Sequence, residues 1–516
     1  MANSPRPLNL SALTLSGLVA ALVLGTALVL AVRADSFTLR PAEWSALSFT
    51  IKQAALSALL ATVLAVPVAR ALARRRFPGR GLMIALMGAP FLLPTIVAVV
   101  GILAIYGRNG IVNQMLATLH LPSVSIFGLQ GVVLTNVFFN LPLATRVLLN
   151  GWSAIPAERF RLAETLNMPP PAIFRHIELP MLRGLLPGAF VVVFLLCMTS
   201  FVVSLTFGGG PRATTLELAL YQALRFDFDL GRAAMLAGLQ FMVCTAAVVI
   251  AGLVTLPSGF GTGLDRSQAV RVAGYWRRLI DTVLLTCVVI FLLLPLLAVT
   301  IHGVTGLSTL PASVWQAALR SVVIALASAA VATVMGLSMA VAVANHAKGA
   351  GLIDLAAMLP MAASGLVLGA GLFLVFHPVA PLDALAVPIT ILVNATIALP
   401  FLYRLLLPEA RDLVTGYQRL CTTLGLRGMA RLRYVTLPRL ARPLGLGAGI
   451  AAALSMGDLG VIALFAGERS ATLPLMVQRL AGAYRMEQAA AASLLLVTLS
   501  FALYYFFDAG GRRAAP

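Results

Sequence analysis

The sequence predicts an all-α membrane protein that crosses the bilayer about twelve times, in two parallel halves of six helices each. The first observation behind this fold class is composition, because 60% of the residues are hydrophobic and only 11% are charged. Soluble domains carry about 25% charged residues. The second observation is that apolar runs of membrane-spanning length recur along the whole chain. The third is an internal repeat, which makes the two halves equivalent.

The apolar runs set the candidate membrane spans. The first run, from about Leu10 to Val32, is too long for a signal peptide and long enough to cross the bilayer, so we expect it to stay as the first helix. The candidate spans lie near residues 10–32, 50–72, 82–105, 129–149, 186–207, 234–256, 280–301, 319–344, 352–376, 385–406, 443–466 and 489–507.

The charge distribution predicts the orientation of these spans. The net charge is +19, and the chain has 37 Lys and Arg residues. If the N-terminus lies in the cytoplasm, most of these residues fall in short cytoplasmic loops, as the positive-inside rule requires. Both termini are then cytoplasmic, and the basic excess needs no nucleic-acid partner to explain it. One such loop contains Arg70, Arg74, Arg75, Arg76 and Arg80.

The polar, Gly-rich stretch near 257–279 is expected to link the two halves. The predicted organisation is an N-terminal helix with its periplasmic connection (1–45), a first transmembrane domain (46–256), the linker with the seventh helix (257–314), a second transmembrane domain (315–508) and a cytoplasmic tail (509–516).

The two halves match at a constant separation of 258 positions, which indicates an internal duplication. Six spans per half is an even number, so both halves enter the membrane in the same direction and form a parallel repeat. The matching pairs are the NLP at Asn140–Pro142 with the ALP at Ala398–Pro400, Arg146 with Arg404, Pro180 with Pro438, and Ala213–Thr214 with Ala471–Thr472.

The most distinctive repeated segment is a polar loop, RLAETLNMPPPAIFRHIELP in the first half and RLCTTLGLRGMARLRYVTLP in the second. Residues 158–166 suit a short helix with Leu162, Ala163 and Leu166 on one face. Asn167 tolerates the left-handed conformation that ends a helix, and the prolines after it prevent continuation.

A second short helix is expected to begin in the Pro run and to display Ile173, Phe174 and Ile177, before Pro180 starts the next membrane helix. The second copy has Gly425 where the first has Asn167, and Gly is the usual residue for a left-handed turn. Apolar side chains on short exposed helices suggest a docking surface, although the same helices could instead pack under the spans of their own chain.

The spacing from Gly425 to Pro438, and from Asn167 to Pro180, resembles the EAA loop of ABC importer permeases, as do the endings IELP and VTLP. The E-A-A triplet itself departs from the family pattern. The chain has Arg161-Leu162-Ala163 and Arg419-Leu420-Cys421 there, which puts in doubt any role of the family's glutamate.

Further stretches are similar to the fused two-domain permeases of thiamine ABC transporters. They are RRRFPGR at 74–80, IYGRNG at 105–110, GLQGVVLTNVFFNLPLATR at 128–146, FGGGPRATTLELALYQAL at 207–224 and ALSMGDLGVIALF at 453–465.

This resemblance implies type-1 (MetI-like) permease repeats in the bacterial inner membrane, importing thiamine and its phosphate esters by alternating access. It also implies two partners, an ABC ATPase subunit dimer on the cytoplasmic face and a periplasmic thiamine-binding protein. The residues that match the ATPase-coupling loops are Arg161, Leu162, Ala163, Leu166, Asn167, Phe174, Pro180, Arg419, Leu420, Cys421, Leu424, Gly425, Leu432 and Pro438.

The sequence offers no chemistry of its own to drive transport. No G-x-x-x-x-G-K-[ST] phosphate-binding loop surrounds either lysine, Lys52 or Lys348, and no catalytic motif stands out. The four cysteines form no CxxC pair and no Cys/His cluster, so neither a metal site nor a cofactor is expected. The chain is therefore expected to be a permease subunit, not an enzyme, with ATP hydrolysed by a separate subunit.

Asp458 is the one acidic residue that the span assignment places deep in the membrane. Because thiamine carries a permanent positive charge, Asp458 is a candidate for the substrate path, together with Phe201 and Phe465, which could add cation–π attraction. Alternatively, Asp458 caps or hydrogen-bonds a broken helix.

Two other functions remain open from the sequence. A fused permease for ferric iron would share the two-domain layout. An ion-coupled secondary transporter would share the number of spans, but it would need no repeated cytoplasmic loop and would couple through intramembrane ionisable groups, which are scarce in this chain.

Overall fold

The computed structural model describes residues 10–34, 39–88, 92–208, 210, 213–254, 275–345, 349–379, 381–426, 428–467 and 470–515, and all regular structure in these ranges is helical. The α-helices are α1 Leu10–Arg33, α2 Pro41–Arg74, α3 Arg80–Leu86, α4 Thr95–Tyr106, α5 Ile111–Thr118, α6 Leu129–Ser153, α7 Ala157–Thr165, α8 Pro170–Ile173, α9 Leu179–Met198, α10 Phe201–Phe207, α11 Leu216–Arg225, α12 Leu230–Val254, α13 Tyr275–Gly306, α14 Ala312–Ala344, α15 Ala350–Met358, α16 Gly365–Phe376, α17 Leu382–Thr423, α18 Gly428–Arg431, α19 Leu437–Met456, α20 Gly460–Phe465, α21 Leu473–Gly482 and α22 Met486–Ala514.

The number of membrane-spanning segments agrees with the prediction. Among the described residues, 11 helices are long and apolar enough to cross a bilayer, and the count is 12 if the bent pair Ala350–Ala362 and Gly365–Phe376 forms one span. Most of the expected linker, residues 257–274, lies outside the described residues. The division into domains remains a prediction, although α22 continues through most of the expected tail.

Several spans that the sequence suggested were continuous are broken. The candidate span 82–105 is divided, because α3 ends at Leu86 and α4 begins only after Pro94, whose ring cannot donate a backbone hydrogen bond. Its counterpart, span 352–376, bends by 95° between α15 and α16. The candidate spans 186–207 and 443–466 each contain a break, at Thr199–Ser200 and at Gly457–Leu459.

Most helices of one half have a counterpart in the other. Gly79 and Gly349 precede α3 and α15 with left-handed φ values of 87° and 81°, and they lie 270 positions apart. Beyond α4 and α16 the separation falls to 258, so the first half is 12 residues longer at this point. The longer segment contains α5, and the described part of the second half has no equivalent helix between α16 and α17.

The first helix of each half crosses over to the other half. Helix α1 packs against α16 and α14, and helix α13 packs against α4 and α2. The closest approaches occur at equivalent glycines. A Cβ atom on Gly101 would lie 2.5 Å from the Pro295 carbonyl oxygen, and one on Gly371 would lie 2.6 Å from Cβ of Thr26. Small residues let membrane helices approach this closely, so these glycines hold the two halves together.

Candidate functional site

The first polar loop forms the expected helix–turn–helix. Helix α7 follows Pro156 and ends in a turn at Asn167, which has a left-handed φ of 49°. The Met168 N–H donates to the Ala163 carbonyl (2.9 Å), and the Asn167 N–H donates to Glu164 (3.0 Å). Such bonds satisfy carbonyls that a helix end leaves without partners. The predicted left-handed turn is therefore confirmed.

The second loop has the same turn with different residues. Gly425 has a φ of 64°, and the Leu426 N–H donates to the Cys421 carbonyl (2.9 Å), five positions back as in the first loop. The helix before this turn is not separate, however. Helix α17 runs unbroken from the membrane to Thr423, because Val414 stands where the first half has Pro156.

The outward faces of the two loops are also alike, and they correct one expectation. Leu162 and Leu166 are 60% and 64% exposed, whereas Ala163 between them is 1% exposed and packs inward. The helical period places these three side chains within about 100° of one another, but the core covers only the Ala163 edge of this arc, so the three do not form one exposed face. In the second loop the exposed residues are Leu420 and Leu424, and the inward one is Cys421.

After each turn the chain passes through a short helix and a five-residue π-helical segment, Phe174–Glu178 in the first half and Leu432–Thr436 in the second. Each segment leads directly into a membrane helix whose first turn contains Pro180 or Pro438. Phe174 and Leu432 are half-buried. The expectation that Ile177 is displayed is wrong, since Ile177 is buried in the core.

The two loops are anchored differently to the membrane helices. Glu178 is fully buried and pairs with Arg70 (2.9 Å) and Arg74 (2.5 Å), both on α2. The Arg70 guanidinium also lies 5.0 Å from the centre of the Phe174 ring. In the second half Thr436 takes the place of Glu178, and an apolar cluster fills this region. The cluster consists of Ala344, Ala410, Leu413, Cys421, Val435 and Leu440.

Two of the three predicted substrate-path residues, Asp458 and Phe201, lie at the seam between the halves. Asp458 is half-buried at the break before α20, with its carboxylate beside the backbone N–H groups of residues 460–462. Phe201 and Asp458 both lie beside Gly460, because the Phe201 Cδ1 atom and the Asp458 Oδ1 atom would each lie 3.8 Å from a Cβ on this glycine. Phe465 is not part of this group. It lies at the far end of α20 and packs against Phe373, with a centroid distance of 5.6 Å.

No protein-family model matches the chain. Over 475 residues it is 38% identical to the "Thiamine transport system permease protein ThiP" of Brucella abortus (strain 2308), covering 90% of this chain and 87% of that one. It is 38% identical to the protein of the same name from Escherichia coli (strain K12), covering 89% and 88%. The protein of that name from Haemophilus influenzae is 33% identical, covering 89% and 87%. The chain belongs to this family of permeases.

A more distant relative supports the fold of the family. The "Sulfate transport system permease protein CysW" of Synechocystis is 32% identical over 148 residues, which is 28% of this chain and 53% of that one. The type-1 permease fold expected from the polar loops is thus supported. The relatives that match most of the chain are named for thiamine, and the ferric-iron alternative gains no support from them.

Three buried carboxylates of this permease were not predicted from the sequence: Glu43, which pairs with Arg232 (3.0 Å), Glu178 and Glu217. Glu178 lies in the polar loop, where a charged residue is unremarkable, and its arginine partners are 104 and 108 positions away. Glu217 lies in α11, a short helix outside the candidate spans. The one local signal was the apolar sequence around it, LELALYQAL, in which an unpaired carboxylate is costly to bury.

Proposed function

We propose that this chain is the membrane subunit of an ATP-driven importer that carries thiamine and its phosphate esters across the bacterial inner membrane. The substrate is taken from the printed names of relatives that match about nine-tenths of the chain. The single observation that carries the mechanism is the pair of polar loops, which share a left-handed turn and an exposed leucine pair. Both termini lie in the cytoplasm in this proposal, which follows from the positions of the basic loops.

The two loops dock on an ABC ATPase dimer. Each presents an exposed arginine and two exposed leucines on one short helical surface, and apolar side chains held out in this way indicate a protein contact. A dimer with two-fold symmetry offers the same cleft twice, so one fused chain needs two such loops on the same side. The contact residues are Arg161, Leu162 and Leu166 in the first half, and Arg419, Leu420 and Leu424 in the second.

The remaining loop residues transmit the motion of the ATPase. Ala163 and Cys421 fix the loop helices against the core, while Asn167 and Gly425 set the turns. Phe174 and Leu432 begin the π-helical segments, and Pro180 and Pro438 lie in the first turn of α9 and α19. These two helices end at the breaks beside the central seam.

A displacement of either loop is therefore carried along one helix to the path of the substrate. Closing of the ATPase dimer switches the permease between two arrangements of its halves, which is alternating access. A periplasmic thiamine-binding protein supplies the substrate on the other side.

The test is uptake of radiolabelled thiamine into proteoliposomes that hold this chain and its ATPase, with the binding protein added outside. We expect uptake that requires internal ATP. Gly425→Pro should abolish it, because proline cannot adopt the φ of 64° found at this position. The matched control is Asn167→Gly in the other loop, which keeps the left-handed turn and should keep uptake.

Two outcomes would contradict this proposal. Uptake that follows an ion gradient without the ATPase would favour a secondary transporter. Gly425→Pro with wild-type uptake and normal ATPase binding would show that the second loop does not couple ATP hydrolysis to transport.

A further inference from the structure

Glu217 is a buried carboxylate that the transport mechanism has not yet used. It lies in the first turn of α11 and is 2% exposed. Its carboxylate faces the backbone N–H of Phe201, where α10 begins, and the hydroxyl of Ser364, which precedes α16 in the other half. Its Oε2 atom has no hydrogen-bond partner within the described part of the chain.

Asp458 has the same kind of environment in the second half. Its carboxylate faces the backbone N–H groups at the start of α20 and the side-chain amide of Asn394. That amide already donates to the Ser455 hydroxyl at 3.0 Å. The Oδ2 atom of Asp458 is buried and, like Oε2 of Glu217, is without a hydrogen-bond partner among the residues described.

The two carboxylates occupy equivalent places, although they come from different positions of the repeat. At the separation of 258, Asp458 corresponds to Ser200 and Glu217 corresponds to Leu475. Each half therefore places one carboxylate at the start of a short helix. The Glu217 carboxylate lies at the start of α10, and the Asp458 carboxylate lies at the start of α20. The two helix starts meet across the seam, since Phe201 would lie 3.8 Å from a Cβ on Gly460.

An aromatic wall accompanies this pair of acidic residues. Phe201 packs edge-on against Tyr221 of α11, with a centroid distance of 5.3 Å. Carboxylates next to aromatic rings are the groups that bind an organic cation most strongly, by charge pairing and by cation–π attraction. Hydrogen bonding to the helix starts accounts for one oxygen of each carboxylate. It does not account for the burial of the second oxygen, which has no partner in the described part of the chain.

We propose that Glu217 and Asp458, with Phe201, form a two-carboxylate site that binds the positively charged ring of thiamine between the two halves of the permease. The site rests on the proposed substrate. Each half contributes one carboxylate, so the full site exists only while the two helix starts are together. Separation of the halves during transport divides the site and releases the cation.

The test measures equilibrium binding of labelled thiamine to the purified permease–ATPase complex without the binding protein. Glu217→Gln and Asp458→Asn should each raise the Kd for thiamine about tenfold, the effect of losing one charge-assisted contact. Glu217→Asp keeps the charge and should bind more tightly than Glu217→Gln. Ser200→Ala, at the repeat position of Asp458, removes no charge and should leave the Kd within about twofold.

The charge of the ligand separates a binding role from a structural one. The second ligand is an analogue of thiamine with an uncharged aromatic ring in place of the positively charged one, so the neutral variants should lose less affinity for it than for thiamine. A purely structural role would lower the affinity for both ligands equally.

Three results would overturn the site. The first is that the wild-type complex binds no thiamine saturably. The second is that both neutral variants bind thiamine with wild-type affinity, and the third is that they lose equal affinity for the two ligands. Failure of the proposed substrate gives a different result, since wild-type proteoliposomes would then take up no thiamine at all.

Discussion

The ionic anchor of the first polar loop gives the sharpest prediction. Glu178→Gln removes the charge that holds Arg70 and Arg74, both of which donate to this fully buried carboxylate at 3.0 Å or less. Removing one partner of a buried ion pair lowers stability by about 3–5 kcal/mol. Because the Arg70 side chain is 32% exposed and can reach water, we expect the lower cost of about 2–4 kcal/mol.

The assay is hydrogen exchange of the backbone amides in the two loops of the same molecule. In Glu178→Gln, amides in 157–178 should exchange at least about 30-fold faster, which corresponds to about 2 kcal/mol. Amides in 415–436 are the internal control, because the second loop has no equivalent ion pair and rests on an apolar cluster. Their exchange should not change.

A second variant tests whether charge burial is the cause. The residues at the three equivalent positions of the second half are uncharged, so a triple variant that copies them removes the charges of Arg70, Arg74 and Glu178 together. A buried ion pair can often be replaced by uncharged groups with little loss of stability. This triple variant should exchange more slowly in its first loop than Glu178→Gln. The reasoning would be refuted by unchanged exchange in Glu178→Gln, or by equal acceleration in both loops. The triple variant is Arg70→Ala, Arg74→Ala and Glu178→Thr, after Ala340, Ala344 and Thr436.

Three further changes act on stability, each followed by thermal unfolding of the purified protein in detergent. Gly101→Ala should cost about 1–3 kcal/mol, because the new methyl group meets the backbone of α13 at 2.5 Å; Gly238→Ala, with nothing within 4 Å, is the control, and equal effects would contradict the close packing. Asn167→Val should cost about 1–2 kcal/mol in the left-handed turn, whereas a β-branched residue tolerated there would argue against that turn. Gln53→Leu should cost about 1–3 kcal/mol, since Gln53 donates to the Cys197 carbonyl and accepts from the Asn136 amide, both at 2.8 Å; an unchanged melting temperature would mean that water replaces these bonds.

In the proposed mechanism, a short path leads from each polar loop to the seam between the halves. Each polar loop continues without a gap into α9 or α19, and each of these helices ends at a break next to a buried carboxylate, Glu217 or Asp458. Helix α9 is also tied to α2 through the Gln53 side chain, and Glu178, the residue before α9, is tied to α2 through its pair of arginines. The first half therefore has polar ties along the whole length of this path.

The sequence by itself determined the features that depend on local chemistry. Apolar runs of sufficient length predict the number of spans, a constant separation predicts the duplication, and Asn167 and Gly425 predict the two left-handed turns, because backbone conformation follows from the residue and its neighbours. One local prediction failed, the shared face of Leu162 and Ala163. The helical period allows that face, and the packing of Ala163 against the core decided otherwise.

Only the tertiary structure decided which distant residues meet. The crossing of α1 and α13 between the halves, the arginines around Glu178 and the meeting of Glu217 with the other half all join positions far apart in the chain. No local pattern encodes such contacts, since a buried acid and a solvated one look alike in a sequence. The two carboxylates at the seam also occupy unmatched positions of the repeat. Their equivalence comes from packing, which brings the starts of α10 and α20 together across the boundary of the two halves.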